Sequence, residues 1–261
     1  MLMHKKKYNL QKRHTITNIF PILDLSNSNI YNIAKLPLFL KILQFNNNNL
    51  AELPTLPPTL IELDISNNKF IYLNVCNSNL IKLNCNNNCL VNILKLPPTL
   101  EELWCCGNKL KMLPILPDCL HTLICNHNNI IYFPKLPNTL TKLACCYNNI
   151  IELPRLPNSL KYLFCDNNQI FIFPKLPNLQ SFSFYNNCHI YNIVTKNKYI
   201  TILYINHINN ILYSFKFIFY LIKYKRRFHQ WMWKSREKKI QKEMHPDNII
   251  SLFYDEIYGN Y

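Results

Sequence analysis

Eleven cysteines and eight histidines are the residues of this chain best suited to hold a metal, form disulfides or attack a substrate, and their spacing decides what they can do. Cys85, Cys105, Cys125, Cys145 and Cys165 recur every 20 residues. In a repeating fold they occupy one equivalent place and form a straight column, about 4.8 Å from coil to coil. Tetrahedral zinc needs ligands that converge at about 2.3 Å, and a column does not converge. The series therefore reads as a small apolar packing residue. Cys106 and Cys146 fall one place later, on the outward side, and are the two candidates for a reactive thiol. Two coils apart, about 10 Å, they are too distant for a disulfide. The odd cysteine count and the lack of a signal peptide point to a reducing, intracellular compartment. The histidines are scattered: His121 and His127 share one repeat, and none shares an outward column with a serine and an acid. A nucleophile, base and orienter are not brought together, so no catalytic residue, no cofactor and no metal are expected. With only two glycines, Gly107 and Gly259, the chain also lacks a Gly-rich phosphate loop, a dinucleotide-binding turn and a Gly-flanked serine elbow.

The element that positions these residues is a repeat. Written in rows of 20 from Ile16, the sequence aligns without a gap as far as Asn178. Place eight reads Leu23, Leu43, Leu63, Leu83, Leu103, Leu123, Leu143 and Leu163, and place five runs from Phe20 and Leu40 to Leu160. Asn stands at place thirteen from Asn48 through Asn168, and Pro at place two in Pro37, Pro57, Pro97, Pro117, Pro137, Pro157 and Pro177. Inward places eight and ten alternate with outward seven, nine and eleven, the period of a short strand. The remaining residues must return the chain to its starting level, and prolines at both ends of the return exclude a helix there. Stacked rows then give a parallel sheet on the concave side, an extended or irregular convex side and a continuous Leu core. The Asn column is placed to bond backbone groups left free where each coil turns. In row nine one residue is missing after Asn178, so Leu179, Phe182, Phe184 and Asn187 carry the pattern one place early, and Ile190 and Ile193 restore it.

The core unit standing as Leu60, Leu63, Ile65, Asn68 and Phe70 resembles the leucine-rich repeat family, which implies an arc-shaped solenoid. The proline-containing 20-residue unit is similar to the short repeats of secreted effectors of pathogenic bacteria. Some of those add a ubiquitin-ligase domain with a catalytic cysteine, for which the 66 residues after position 195 are too few. The Asn/Ile/Lys/Tyr-rich composition and the segment Trp231 to Met244-His245-Pro246 also resemble proteins of giant viruses of amoebae. Either resemblance implies the cytoplasm of a host cell. The expected organisation is a basic N-terminal tail (1–15), nine repeats (16–195), a degenerate repeat with a cap (196–222) and a basic, helical C-terminal tail (223–261). Tyr199 to Leu221 is apolar, but Asn206, His207, Asn209, Asn210 and Lys216 interrupt it, which favours a cap over a membrane span.

The net charge of +15 sits at the ends: residues 1–15 hold five Lys/Arg and no acid, 16–195 twelve against nine, and 196–261 twelve against five. Lys223, Lys225, Arg226 and Arg227, with Trp231 and Trp233, are the candidate contact with anionic lipid or nucleic acid. The most specific signal lies in the outward columns. Place nine reads Gln44, Asp64, Asn84, then Trp104, Ile124, Ala144 and Phe164, with Tyr162 beside Phe164 at place seven. Adjacent coils put these on one surface, and an exposed contiguous apolar patch marks a binding site. Glu62, Asp64 and Glu102 are expected to make an acidic region on its N-terminal side, with Lys142 and Asp166 orienting a partner at the rim. The sequence thus predicts a monomeric, non-enzymatic module that binds a protein or peptide on its concave face. The alternative is a membrane-surface protein acting through its basic C-terminal segment.

Overall fold

The computed structural model describes residues 21–33, 35–76, 78–170, 173–187, 205–207 and 210. All but Asn210 belong to a compact unit, Met1–Asn209; the second unit, Asn210–Tyr261, otherwise lies outside the described residues. The expected helical tail, its basic cluster and its tryptophans fall there, and the basic 1–15 segment is also outside.

Each repeat folds as one coil, numbered here from the coil that begins at Ile16. In chain order the strands are β1 (Ile22–Asp24), β2 (Ile42–Gln44), β3 (Glu62–Asp64), β4 (Tyr72–Asn74), β5 (Lys82–Asn84), β6 (Asn92–Lys95), β7 (Glu102–Trp104), β8 (Thr122–Ile124), β9 (Lys142–Ala144), β10 (Tyr162–Phe164) and β11 (Ser181–Ser183). Nine of them form one parallel sheet, β1-β2-β3-β5-β7-β8-β9-β10-β11, with place eight of each coil paired to place eight of the next. The missing residue of coil nine does not disturb this register, since Leu163 pairs with Phe182. It is absorbed in the preceding turn: Leu160 N–H donates to Pro157 O (3.1 Å), whereas Leu179 donates to Pro177 O (2.8 Å), one residue nearer.

The core is the stack of inward columns. Leu43, Leu83, Leu103, Leu123, Leu143 and Leu163 of place eight are fully buried, as are Leu60, Leu80, Leu100, Leu120, Leu140 and Leu160 of place five. The asparagines of place thirteen knit the coils together. Asn108 Nδ2 donates to Cys85 O of the previous coil (3.0 Å) and to Cys105 O of its own (3.2 Å), and its Oδ1 accepts from Leu90 N–H (3.0 Å). The same bonds recur at Asn68, Asn88, Asn128, Asn148 and Asn168. A buried amide that meets three backbone groups avoids the ~1–3 kcal/mol that each unpaired group would cost. A second ladder occupies place four. Hydroxyls of Thr59, Thr139 and Ser159 each donate toward two carbonyls of the preceding coil, and Cys119 Sγ does the same (2.9 and 3.3 Å).

The return side is extended where it carries proline and pairs where it does not. Place nineteen is Pro54, Pro114, Pro134, Pro154 and Pro174, but Asn74 and Leu94 in coils three and four, where place two also changes from Pro57 to Asn77. Among the described residues it is there that a return-side ladder forms, β4 and β6 making a two-stranded parallel sheet with a bulge between Leu73 and Asn74. Proline has no N–H to give a ladder, so the coils that bear it keep only isolated return-side bonds, such as Ile131 N–H to Lys111 O (3.3 Å) and Ile151 N–H to Ile131 O (3.4 Å).

At the C-terminal side Ile205 is buried in the core, and the Asn206 side chain accepts from Leu176 N–H (3.0 Å). This short helical segment, residues 205–207, is the described part of the expected cap. Ile190 and Ile193, expected to restore the pattern, lie outside the described residues. Among those described, no helix is long and apolar enough to cross a membrane.

Candidate functional site

Strand register decides which outward residues meet. Asn84 pairs with Trp104, Trp104 with Ile124, Ile124 with Ala144, Ala144 with Phe164, and Phe164 with Ser183. Four apolar side chains on four neighbouring strands therefore form one row, about 14 Å from Trp104 to Phe164 at about 4.8 Å per strand. Trp104, Ile124 and Phe164 are half-buried and Tyr162, one row over, is exposed. Ala144, the small residue standing between Ile124 and Phe164 in register, is only 5% exposed. The row is a continuous strip rather than four separate side chains. The return side also exposes apolar groups, but place seventeen reads Glu52, Tyr72, Asn92, Met112, Tyr132, Glu152, broken by polar residues at each end and in the middle.

The polar residues expected around the strip behave differently from the sequence reading. Glu62 and Glu102 do not make a free acidic region. The register places Lys82 between them, and its ammonium lies 3.7 Å from Glu62 and 3.5 Å from Glu102. Asp64 is used within the chain: its carboxylate accepts from Ser66 N–H (2.8 Å), Ser66 Oγ (2.6 Å) and Asn84 Nδ2 (3.0 Å). Asp166 is also committed, accepting from Tyr185 N–H (2.6 Å) and from Ser183 Oγ, so it organises the next coil rather than the rim. Lys142 stands in the strand row between Thr122 and Tyr162, with no acid beside it.

The cysteine column is buried throughout, with Cys85, Cys105, Cys125, Cys145 and Cys165 fully covered. Three of these thiols donate to a carbonyl of the following coil: Cys85 to Trp104 O (3.4 Å), Cys125 to Ala144 O (3.5 Å) and Cys165 to Ser183 O (3.4 Å). Burial raises all five thiol pKa values well above the ordinary 9.0. Cys106 and Cys146 lose their standing as reactive thiols for the same reason. Half-burial raises Cys106, and burial together with the charge of Asp166, 3.6 Å from Cys146 Sγ, pushes Cys146 up to about 11. Besides Cys76, the nine other described cysteines are free thiols, and no group of metal-ligating side chains converges among the described residues.

One column escaped the sequence reading. Place twelve takes the left-handed conformation in every described coil: φ is +57° at Asn47, +54° at Asn67, +53° at Asn87, +63° at Gly107, +55° at His127, +56° at Tyr147 and +55° at Asn167. The signal was present in the paired asparagines, Asn47-Asn48, Asn67-Asn68 and Asn87-Asn88, and in the position of the only glycine within the repeats. His127 and Tyr147, of which the tyrosine tolerates that conformation less well than asparagine, stack at 4.4 Å and 10° between rings.

The 20-residue coil, the in-register parallel sheet and the asparagine ladder together give this chain the fold of a leucine-rich repeat solenoid. Solved structures agree. YopM from Yersinia enterocolitica is 34% identical, with a TM-score of 0.63, over 66% of this chain and 39% of its own. YopM from Yersinia pestis, described as a leucine-rich effector protein, is 31% identical with a TM-score of 0.59, over 64% of this chain and 49% of its own. The functional domain of InlJ from Listeria monocytogenes, described as including a cysteine ladder, is 25% identical with a TM-score of 0.55, over 70% of this chain and 46% of its own. The chain thus spans less than half the length of each of these proteins. No family model and no curated protein matches it. These neighbours are bacterial and lend no support to the resemblance to giant-virus proteins.

Proposed function

We propose that this protein is a non-enzymatic interaction module that holds a protein or peptide against the strand face of coils five to eight. The observation that carries this reading is the unbroken apolar row Trp104, Ile124, Ala144 and Phe164, flanked by Tyr162, in a column that is polar (Gln44, Asp64, Asn84) in coils two to four. Water gains little from such a strip, and large aromatics bury area on binding at small cost in side-chain entropy. The leucine-rich repeat is a scaffold suited to the task, because its core is complete without the outward places. The solved Yersinia pestis neighbour is described as an effector protein, and with thiols left free this favours a reducing cytoplasm, that of a host cell, as the setting in which the protein acts, as a monomer.

The test is to pan a library of displayed protein fragments against the full chain and against a Trp104→Ala/Phe164→Ala variant. Ligands enriched on the wild type should bind the variant at least tenfold more weakly, about 1.4 kcal/mol, while its melting temperature stays within a few degrees. A variant that melts early yet keeps its ligands would show that the strip is internal packing.

A further inference from the structure

We infer that the partner presents an acidic side chain two residues from a bulky apolar one, in an extended segment laid against β9 and β10. This rests on the binding role proposed above for the strand face and adds what chemistry that face selects. Along place seven the paired residues are Glu62, Lys82, Glu102, Thr122, Lys142 and Tyr162. Among the described residues the ion pairs are those of Lys82, which satisfies both Glu62 and Glu102. The N-terminal half of the row is therefore internally balanced. Lys142 is not: its neighbours in register are a hydroxyl and a phenol. Lys161, exposed at the start of the next strand, adds to the positive charge.

The unpaired ammonium sits beside the apolar strip with a fixed offset. Lys142 and Ala144 are two residues apart on one side of β9, about 6.6 Å along the strand. An extended peptide repeats its own side chains on one face at the same spacing. A carboxylate over Lys142 thus brings the side chain two residues away over Ala144, where Ile124 and Phe164 offer their apolar edges. A basic residue in the first position would meet like charge and be rejected, which is how such surfaces set specificity.

The experiment pans random dodecapeptides displayed on phage against the full chain, the Lys142→Glu variant and a Lys135→Glu variant, whose identical charge change lies at an exposed position outside the strands. The wild type and Lys135→Glu should enrich the same acidic-x-apolar sequences. Lys142→Glu should bind those sequences at least tenfold more weakly and turn the preference toward Lys or Arg at the first position. Lys142→Gln, which removes the charge and keeps the chain length, should lose affinity without reversing the preference. Peptides that need Trp104 and Phe164 but are indifferent to Lys142→Glu would overturn this inference and leave the binding face standing. Peptides weakened equally by Lys135→Glu are answering net charge, and they also overturn it. If no peptide is enriched above background on a wild type that melts cooperatively, the binding role itself fails.

Discussion

Raising the pH above about 9 should unfold this protein steeply, because its core is built on thiols that can ionise only when exposed. In the unfolded chain each cysteine releases its proton near the ordinary value of 9.0, whereas burial keeps all five column thiols protonated well above it. Between those two values the unfolded state binds fewer protons than the folded one, so the free energy of unfolding falls as pH rises. Their stabilisation is complete below 9 and is lost above it. Each thiol contributes a slope of about 1.4 kcal/mol per pH unit, and five acting together give about 7 kcal/mol per pH unit. A domain stable by about 5–15 kcal/mol should then reach its midpoint within about one to two pH units.

Urea unfolding followed by circular dichroism, in reductant and in half-unit steps from about pH 8 to about pH 10.5, measures that slope. A Cys105→Ala/Cys125→Ala variant should be less stable at pH 8 by about 1–3 kcal/mol for each lost sulfur. Its stability should nevertheless decline more slowly above pH 9, with the slope reduced by about 2.7 kcal/mol per pH unit. The two curves should approach each other as pH rises. Parallel lines for wild type and variant would refute the reasoning, since they would mean that the column thiols are not protected in the folded state.

Three further outcomes test the architecture. Leu103→Asp buries an unpaired charge between coils four and six and should abolish cooperative melting, at a cost of several kcal/mol; an unchanged circular dichroism spectrum and melting temperature would refute the register. Gly107→Ala should lower stability by about 1–2 kcal/mol or more, because φ is positive there and a Cβ would overlap the Asn87 side-chain oxygen; chemical denaturation reads it directly. Cys146, pushed up to about 11, should react with iodoacetamide at pH 8 about a hundredfold more slowly than a free thiol, which mass spectrometry of a short labelling pulse can measure.

The fold was legible because its determinants are columns. Place eight leucines, place thirteen asparagines and place two prolines each do one job in coil after coil, so the job is written seven or eight times and a single sequence suffices to see it. The left-handed turn was harder to read because four residue types fill it: Asn, Gly, His and Tyr all stand at place twelve, and only the backbone unites them. The composition of the apolar strip was equally plain, but its electrostatic setting was not. Counting Glu62, Asp64 and Glu102 gives an acidic patch, whereas register inserts Lys82 between two of them and hydrogen bonds occupy the third. Charge on a solenoid face depends on what lies 20 residues away as much as on the nearest neighbours in sequence.

The same ladder logic explains how the apolar strip became possible. In coils one, three and four the place-nine side chain has a structural duty, since Asp24, Asp64 and Asn84 each accept the backbone N–H two residues on, at 2.9, 2.8 and 3.2 Å. Replacing such a residue by Trp or Phe would strip that N–H of its acceptor. In coils five, seven and nine the duty has moved to place eleven of the preceding coil. Asn86 accepts from Cys106 N–H (2.6 Å), Asn126 from Cys146 N–H (2.7 Å) and Asp166 from Tyr185 N–H (2.6 Å). Place nine is thereby released, and it is in this part of the solenoid that Trp104, Ala144 and their neighbours appear. Asn86 and Asn126 permit the strip without belonging to it. Restoring Asn at position 104 should therefore cost binding but not stability, whereas removing the amide of Asn86 while Trp104 stays leaves the Cys106 N–H without its acceptor and should cost stability.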